Sequence, residues 1–330
     1  MTTPERVRIL PGAALAMALA LAGCGGNPTK STGPSGDVTG EHLVVYTSDA
    51  GRTAGDHGIV LFDFDVAAFH ALPGIDAPGS EFDPCLSNDG GFIAFSAVRS
   101  SSRTDSDLFL YDRLNRGLIA TPNLNTATDE TWPRFTYDSV HLAFAQRLAT
   151  GEKRVRLYEP LGDSMIALPG LATGAGSNDD EPAPNLDGTR IAFMSDRSGT
   201  NDIWVWTRGG VAATVPALAS PGNDIEPSLS SNGRWLVFAS DRAGGAGGYD
   251  VYLFDITTGN LIALPGLNSA GNDRHPSVSA DGDVIVFQSD RAGGGGQNDI
   301  YRYVVSAATV SQPTQLKTSS DDVSPYLRWR

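Results

Sequence analysis

Six prolines recur at near-constant spacing along this chain, at Pro84, Pro133, Pro182, Pro227, Pro276 and Pro325, separated by 49, 49, 45, 49 and 49 residues. Eleven residues after each of the first five stands an aromatic that closes an apolar run: Phe95, Phe144, Phe193, Phe238 and Phe287; a sixth, Tyr46, lies upstream. Self-similarity at such a period marks one supersecondary unit repeated, each copy too thin to bury its own faces and stable only when stacked on its neighbours.

The fifth full copy shows the unit strand by strand. Pro276-Ser277-Val278-Ser279 predicts a short inner strand, and Asp281-Gly282 supplies the chemistry of a tight hairpin. Val284-Ile285-Val286-Phe287 is an unbroken apolar run, as expected of a strand covered on both faces. Ser289-Asp290-Arg291 opens a glycine-rich loop through Gly296, read as a flexible turn. Asp299 to Tyr303 predicts a third strand, and residues around Thr314-Gln315-Leu316-Lys317 a fourth, outer one. The third strand carries an aromatic in all six copies, at Phe62, Tyr111, Tyr158, Trp206, Phe254 and Tyr303. These periodic rings are assigned to packing between units.

The C-terminal run Pro325 to Arg330 stops where other copies make their hairpin turn, and Glu41 to Tyr46 begins just beyond it. One unit is therefore split between the termini. The expected fold is all-β: a six-bladed β-propeller over residues 41–330, closed by pairing of the N- and C-terminal strands so that no open seam remains.

The formal net charge is −14, which argues against a nucleic-acid partner. Arg6 and Arg8 precede an apolar stretch from Ile9 to Ala22, too short to span a bilayer and ending in small residues, as a secretory signal does. Leu21-Ala22-Gly23-Cys24 resembles a bacterial lipoprotein signal box. Residues 1–23 are thus expected to be a signal peptide, Cys24 the lipidated first residue of the mature chain, and residues 24–40 a flexible tether. Gly25 after the cysteine resembles lipoproteins sent on to the outer membrane. Cys85 is then the one cysteine left, so the mature chain forms no internal disulfide.

The pattern Asp-x-x-Pro, Asp-Gly, an Ile-Ala-Phe type strand, Ser-Asp-Arg, then Asp-Ile-Trp or Asp-Ile-Tyr runs most clearly from Asp179 to Trp204, Asp224 to Tyr252 and Asp273 to Tyr301. It is similar to the repeats of the TolB-type, WD-like β-propeller family. The resemblance covers residues 41–330. It implies a periplasmic propeller that works with a protein partner in envelope integrity, although the family's additional α/β domain has no counterpart in the short tether.

Three residues before every proline lies an acid: Glu81, Glu130, Asp179, Asp224, Asp273 and Asp322. In a propeller these six ring one mouth of the central channel, beside arginines Arg99, Arg197, Arg242 and Arg291 that could bind them bidentately. The surplus of acids over slot-matched arginines would attract a cation or a basic partner. The residue just before each proline varies, as Asp83, Trp132, Glu181, Glu226, His275 and Ser324, and variation on a regular frame is where partner choice can be encoded. Trp132 and His275 join the six acids as candidate partner-binding residues. One blade departs from the rest, with Gln146 and Arg147 after its aromatic and Arg154 where the other intact copies have Asp107, Asp202, Asp250 and Asp299.

No nucleophile elbow, HExxH, Walker loop or paired-cysteine metal motif is present, so no catalytic residue and no cofactor are assigned. The resulting expectation is a monomeric, lipid-anchored, non-enzymatic interaction scaffold in the bacterial envelope. The alternative is a metal-dependent propeller enzyme, or a saccharide-binding protein, using the same acidic mouth, where Ca²⁺ is the cation to consider.

Overall fold

The computed structural model describes residues 42–329, apart from 53–55, 77–78, 100–104, 172–175, 216–217 and 219. The signal peptide, Cys24 and the tether lie outside the described residues. What is described folds into six antiparallel sheets of four strands each. Blade 1 holds both ends of the described residues: its innermost strand is Asp322–Trp329, and its second is His42–Ser48. The innermost strands of blades 2 to 6 are Glu81–Leu86, Glu130–Phe135, Asp179–Pro184, Asp224–Leu229 and Asp273–Val278. The all-β, six-bladed ring closed by the two terminal strands is therefore the observed architecture, with Val44 opposite Leu327 and Val45 opposite Tyr326 at the join.

Packing follows the aromatic periodicity. Tyr46, Phe95, Phe144, Phe193, Phe238 and Phe287 are buried, as are the six third-strand rings. Burying each ring is worth about 1.5–3 kcal/mol. Apolar clusters sit between adjacent blades. In one, Leu43 and Leu61 of blade 1 meet Ile93 and Phe95 of blade 2 across the linker residue Ile75. The same linker position holds Leu124, Leu171, Leu218, Leu267 and Leu316, all buried. Four third-strand rings also use their polar tip: Tyr111 Oη, Trp206 Nε1 and Tyr303 Oη donate to the carbonyls of Pro73, Pro169 and Pro265 at 2.8, 3.0 and 3.1 Å, and Tyr158 Oη donates to Asp163.

One strand expectation is corrected. Thr314–Leu316 is a 3₁₀ turn, and the outer strand of blade 6 is Thr309–Ser311, paired with Arg302–Val304. Pro313 enters the turn without an N–H to offer a ladder, and Leu316 drops into the core as the linker residue of its blade. The glycine-rich loops also have a more definite task than flexible turning. Ala246 and Gly247 donate their N–H groups to Asp250 Oδ2 at 2.7 and 3.4 Å, and Gly295 and Gly296 to Asp299 Oδ2 at 2.8 and 3.3 Å. A Cβ on Gly245 would strike Asp250 Oδ2, which is why the backbone there must be bare.

Candidate functional site

Every innermost strand slips register at the same point, between the second residue and the residue after the proline, as between Phe82 and Cys85 or Arg274 and Ser277. The slip is a β-bulge, and the residue before each proline sits in it with a left-handed backbone: φ is 52° at Asp83, 55° at Trp132, 52° at Glu181, 56° at Glu226, 48° at His275 and 53° at Ser324. Proline bars its predecessor from the right-handed helical region, and the bulge takes up the remaining strain, of order 1–2 kcal/mol for a non-glycine residue. In blades 3 to 6 these positions line the central channel, and Trp132, Glu181, Glu226 and His275 enclose one cavity there with the prolines.

Two of them meet across the axis. Trp132 of blade 3 and His275 of blade 6, on opposite sides of the ring, stack with ring centroids 5.5 Å apart and planes inclined by 12°. Arg134 lies over Trp132 on one side and Tyr326 on the other, each at 5.3 Å, and its Nη1 donates to the Asp83 carbonyl at 3.3 Å. Glu226 accepts from the His275 N–H at 2.7 Å, stands 3.0 Å from His275 Nε2 and pairs with Arg274. The Glu226 N–H in turn donates to Glu181 Oε2 at 2.6 Å. Lys153 pairs with Asp180.

Desolvation dominates the electrostatics. Burial pushes the Asp83 carboxyl up to about 7 although Arg134 pulls it back. Glu181 is raised well above the usual carboxylate range by burial, with Glu226 and Asp180 adding like-charge repulsion. His275 is pushed down to about 4 by burial, against the pull of Glu226, so it is neutral at pH 7. The site thus presents a neutral imidazole face, an indole and, at Asp83 and Glu181, carboxyl groups that burial pushes toward the protonated form.

At the hairpin end of the channel, Tyr137 reaches in from blade 3. Its hydroxyl lies 3.1 Å from the Leu229 carbonyl of blade 5 and 3.2 Å from the Val278 carbonyl of blade 6. Sequence reasoning passed over this residue. The signal was a large ring at a turn position held by Asn88, Leu186, Ser231 and Ala280 in other copies.

The six periodic acids behave differently from the expected open rim. Glu81, Glu130, Asp224, Asp273 and Asp322 are 0 % exposed and Asp179 1 %. Each sits in a latch formed by its own blade and the linker before it, and Glu81 Oε2 also lies 3.5 Å from Arg52 Nη1 of blade 1. Arg99, Arg242 and Arg291 pair with Glu81, Asp224 and Asp273 at 3.1, 2.8 and 2.7 Å, and Arg197 pairs with Asp179. The same arginines lie over two rings of their blade, as Arg242 does over Phe238 and Tyr252 at 5.1 and 4.7 Å, and donate to the preceding linker, as Arg242 Nη2 does to the Leu218 carbonyl. Nor is the surplus of acids an open negative rim. Glu130 accepts from Thr126 Oγ1 at 2.5 Å and Gln146 Nε2 at 3.3 Å. Asp322 accepts from Thr318 Oγ1 at 3.0 Å, and burial raises it to about 6. The structure therefore brings together Trp132 and His275, and places the six acids in separate inter-strand latches.

Among the described residues no three His, Cys, Asp or Glu side chains converge on a point that would hold a metal ion. Cys85 is buried and its thiol is pushed up to about 11 by desolvation, the environment of a small core hydrophobe.

No protein-family model matches the sequence, and no curated protein is similar to it. The fold has many solved relatives. TolB from Acinetobacter baumannii is similar over 87 % of this chain and 67 % of its own, with a TM-score of 0.64 and 17 % identity. A putative TolB from Agrobacterium tumefaciens is similar over 88 % of this chain and 98 % of its own, at 0.57 and 16 %. An oligogalacturonate lyase in complex with manganese is similar over 83 % and 74 %, at 0.52 and 16 %. In fold, this chain is a TolB-like six-bladed β-propeller.

Proposed function

We propose that this protein is a non-enzymatic interaction scaffold of the bacterial envelope, anchored by a lipid on Cys24 and engaging a protein partner at the channel through Trp132, His275 and the carboxyl groups beside them. The observation that carries this reading is the bulged pre-proline position. Six copies of one strained backbone carry five different residue types, and four of the six line one cavity on the axis, while the side chains that repeat unchanged sit in latches. A regular frame with its variety concentrated at one place is suited to recognition. An indole stacked on a neutral imidazole offers a large, rigid surface of the kind that dominates protein interfaces.

The test is capture of envelope proteins from the native bacterium by the purified chain, run side by side with Trp132→Ala and His275→Ala. A partner retained by the parent and lost by both variants, with melting temperatures unchanged, supports the channel as the site; retention by both variants overturns it. Anchoring has its own test. Cys24→Ser should move the protein from the membrane to the soluble fraction, and a variant still sedimenting with membranes would remove the lipid anchor from the proposal.

A second reading, a metal-dependent enzyme or saccharide-binding protein, draws on the similarity to the manganese-bound lyase. A thermal-shift series with Mn²⁺ and Ca²⁺ against chelator separates the two, since a ligand that binds only the folded state raises its melting temperature.

A further inference from the structure

Blade 3 carries arginines on its third strand that the channel does not use. That strand is Lys153–Glu159, and its outer strand, Ser164–Ile166, pairs with the far half alone, Leu157 to Glu159, as the outer strands of blades 1, 2, 5 and 6 do on theirs. The outward edge of residues 153–156 is thus left uncovered by a strand. In blades 2 and 5 the same edge is capped by a linker carboxamide. Asn125 accepts from the Leu108 N–H at 2.8 Å and donates to its carbonyl at 2.9 Å; Asn268 does the same for Val251 at 2.9 and 3.0 Å. Leu108 and Val251 each precede the residue paired with the blade aromatic, and in blade 3 that place belongs to Val155. In the sequence the residue after the linker leucine is alanine in blade 3, as it is in blade 4, and alanine has no side-chain carboxamide. Among the described residues no side chain caps Val155.

A cavity of about 480 Å³ lies at this edge, lined by Val155, Arg156, Gln146, Thr126, Met165 and Ile166, with Arg154 beside them. That volume is in the range of ligand pockets, about 300–1,000 Å³. Arg156 stands where blades 2, 4, 5 and 6 place a ring, at Phe109, Trp204, Tyr252 and Tyr301, so the ring is absent and a guanidinium is present. Its Nε donates to Gln146 Oε1 at 2.8 Å, and among the described residues no carboxylate forms an ion pair with it. Arg154 pairs with Glu152 Oε2 at 3.0 Å.

We propose that this notch is a second binding site, for a short peptide segment ending in a free carboxylate. The carboxylate binds the Arg156 guanidinium, which is built to take two parallel hydrogen bonds. The last peptide group fills the edge of Val155 as Asn125 and Asn268 fill theirs, a one-residue strand addition. The terminal side chain rests on Met165 and Ile166. This site stands independently of the channel reading.

The test uses the purified protein and a set of N-acetylated dipeptides ending in Ala, Val, Leu or Phe, each as free acid and as C-terminal amide. At least one acid should bind ten-fold or more tightly than its amide and slow amide hydrogen exchange within residues 153–159. Arg156→Gln, which keeps a polar side chain beside Gln146, should abolish the preference for the acid. Equal binding of acid and amide, no binding by any member of the set, or a preference that persists in a folded Arg156→Gln variant overturns the proposal. If that variant fails to fold, the acid–amide comparison and the exchange pattern on the parent protein decide it.

Discussion

At Asp83 burial is set against ionisation. The folded protein holds this proton up to about 7, whereas an unfolded chain releases it near 4. Between those values the folded state binds more protons than the unfolded one, so the contribution of Asp83 to stability is lost as pH rises. Asp83→Asn removes that loss. The melting temperature of the variant relative to the parent should rise between pH 5 and pH 8 by roughly 4 °C, corresponding to about 2 kcal/mol. A difference that stays flat across this range would show that the group is not buried in its neutral form. His275 has the opposite sign. It stays neutral in the fold down to about 4 while the unfolded chain takes a proton near 6.5, so its contribution is lost as pH falls through that window. The two slopes oppose each other over part of the range, and the Asp83→Asn difference isolates one of them.

At the scale of the element, the unit of construction is a latch: acid, serine, arginine and two rings. In blade 5 the buried Asp224 is raised by desolvation, which Ser240 and Arg242 offset. Asp224→Ala strands the Arg242 guanidinium and should cost about 3–5 kcal/mol, whereas Asp224→Leu with Arg242→Met, which removes both charges, should recover much of that loss. Chemical denaturation of the two variants measures this, and a cost below about 1 kcal/mol for Asp224→Ala would mean that the latch is ornamental. The latch also shows what was readable in advance. The strand positions, the aromatic cores and the ring closure follow from spacing alone, because packing between blades demands the same side chain at the same place. The acids were visible as a period, but their direction was not. Whether Asp224 faces the channel or Arg242 depends on the pleat and on the bulge two residues later. Nor could spacing show that Trp132 and His275, 143 residues apart, would meet. That contact arises because blades 3 and 6 lie opposite in a ring of six, and because a left-handed bulge turns both side chains to the axis. The outer strand of blade 6, expected around Thr314 to Lys317, was misplaced for a local reason, since Leu316 suits a strand until the linker is seen to bury one such residue per blade.

For the whole molecule, closure rests on one strand. Asp322–Trp329 supplies the innermost strand of blade 1, with Leu327 in the core beside Val286 of blade 6 and Val44 of blade 1. Deleting residues 325–330 should leave the chain unfolded or self-associating, because the edge of His42–Ser48 and the flank of blade 6 are then bared. Size-exclusion chromatography and thermal melting read the outcome, and a monomer with the parent's melting temperature would disprove closure by this strand. The placement has a consequence for how the protein is made. Synthesis runs from the N-terminus, so blades 2 to 6 can stack as they emerge, yet the second strand of blade 1, His42–Ser48, waits for its inner neighbour until Asp322–Trp329 has followed. A chain that stops short of Asp322 therefore carries an unpaired edge. Completion of the ring thus depends on both halves of blade 1 being present, and incomplete rings are left open to proteases.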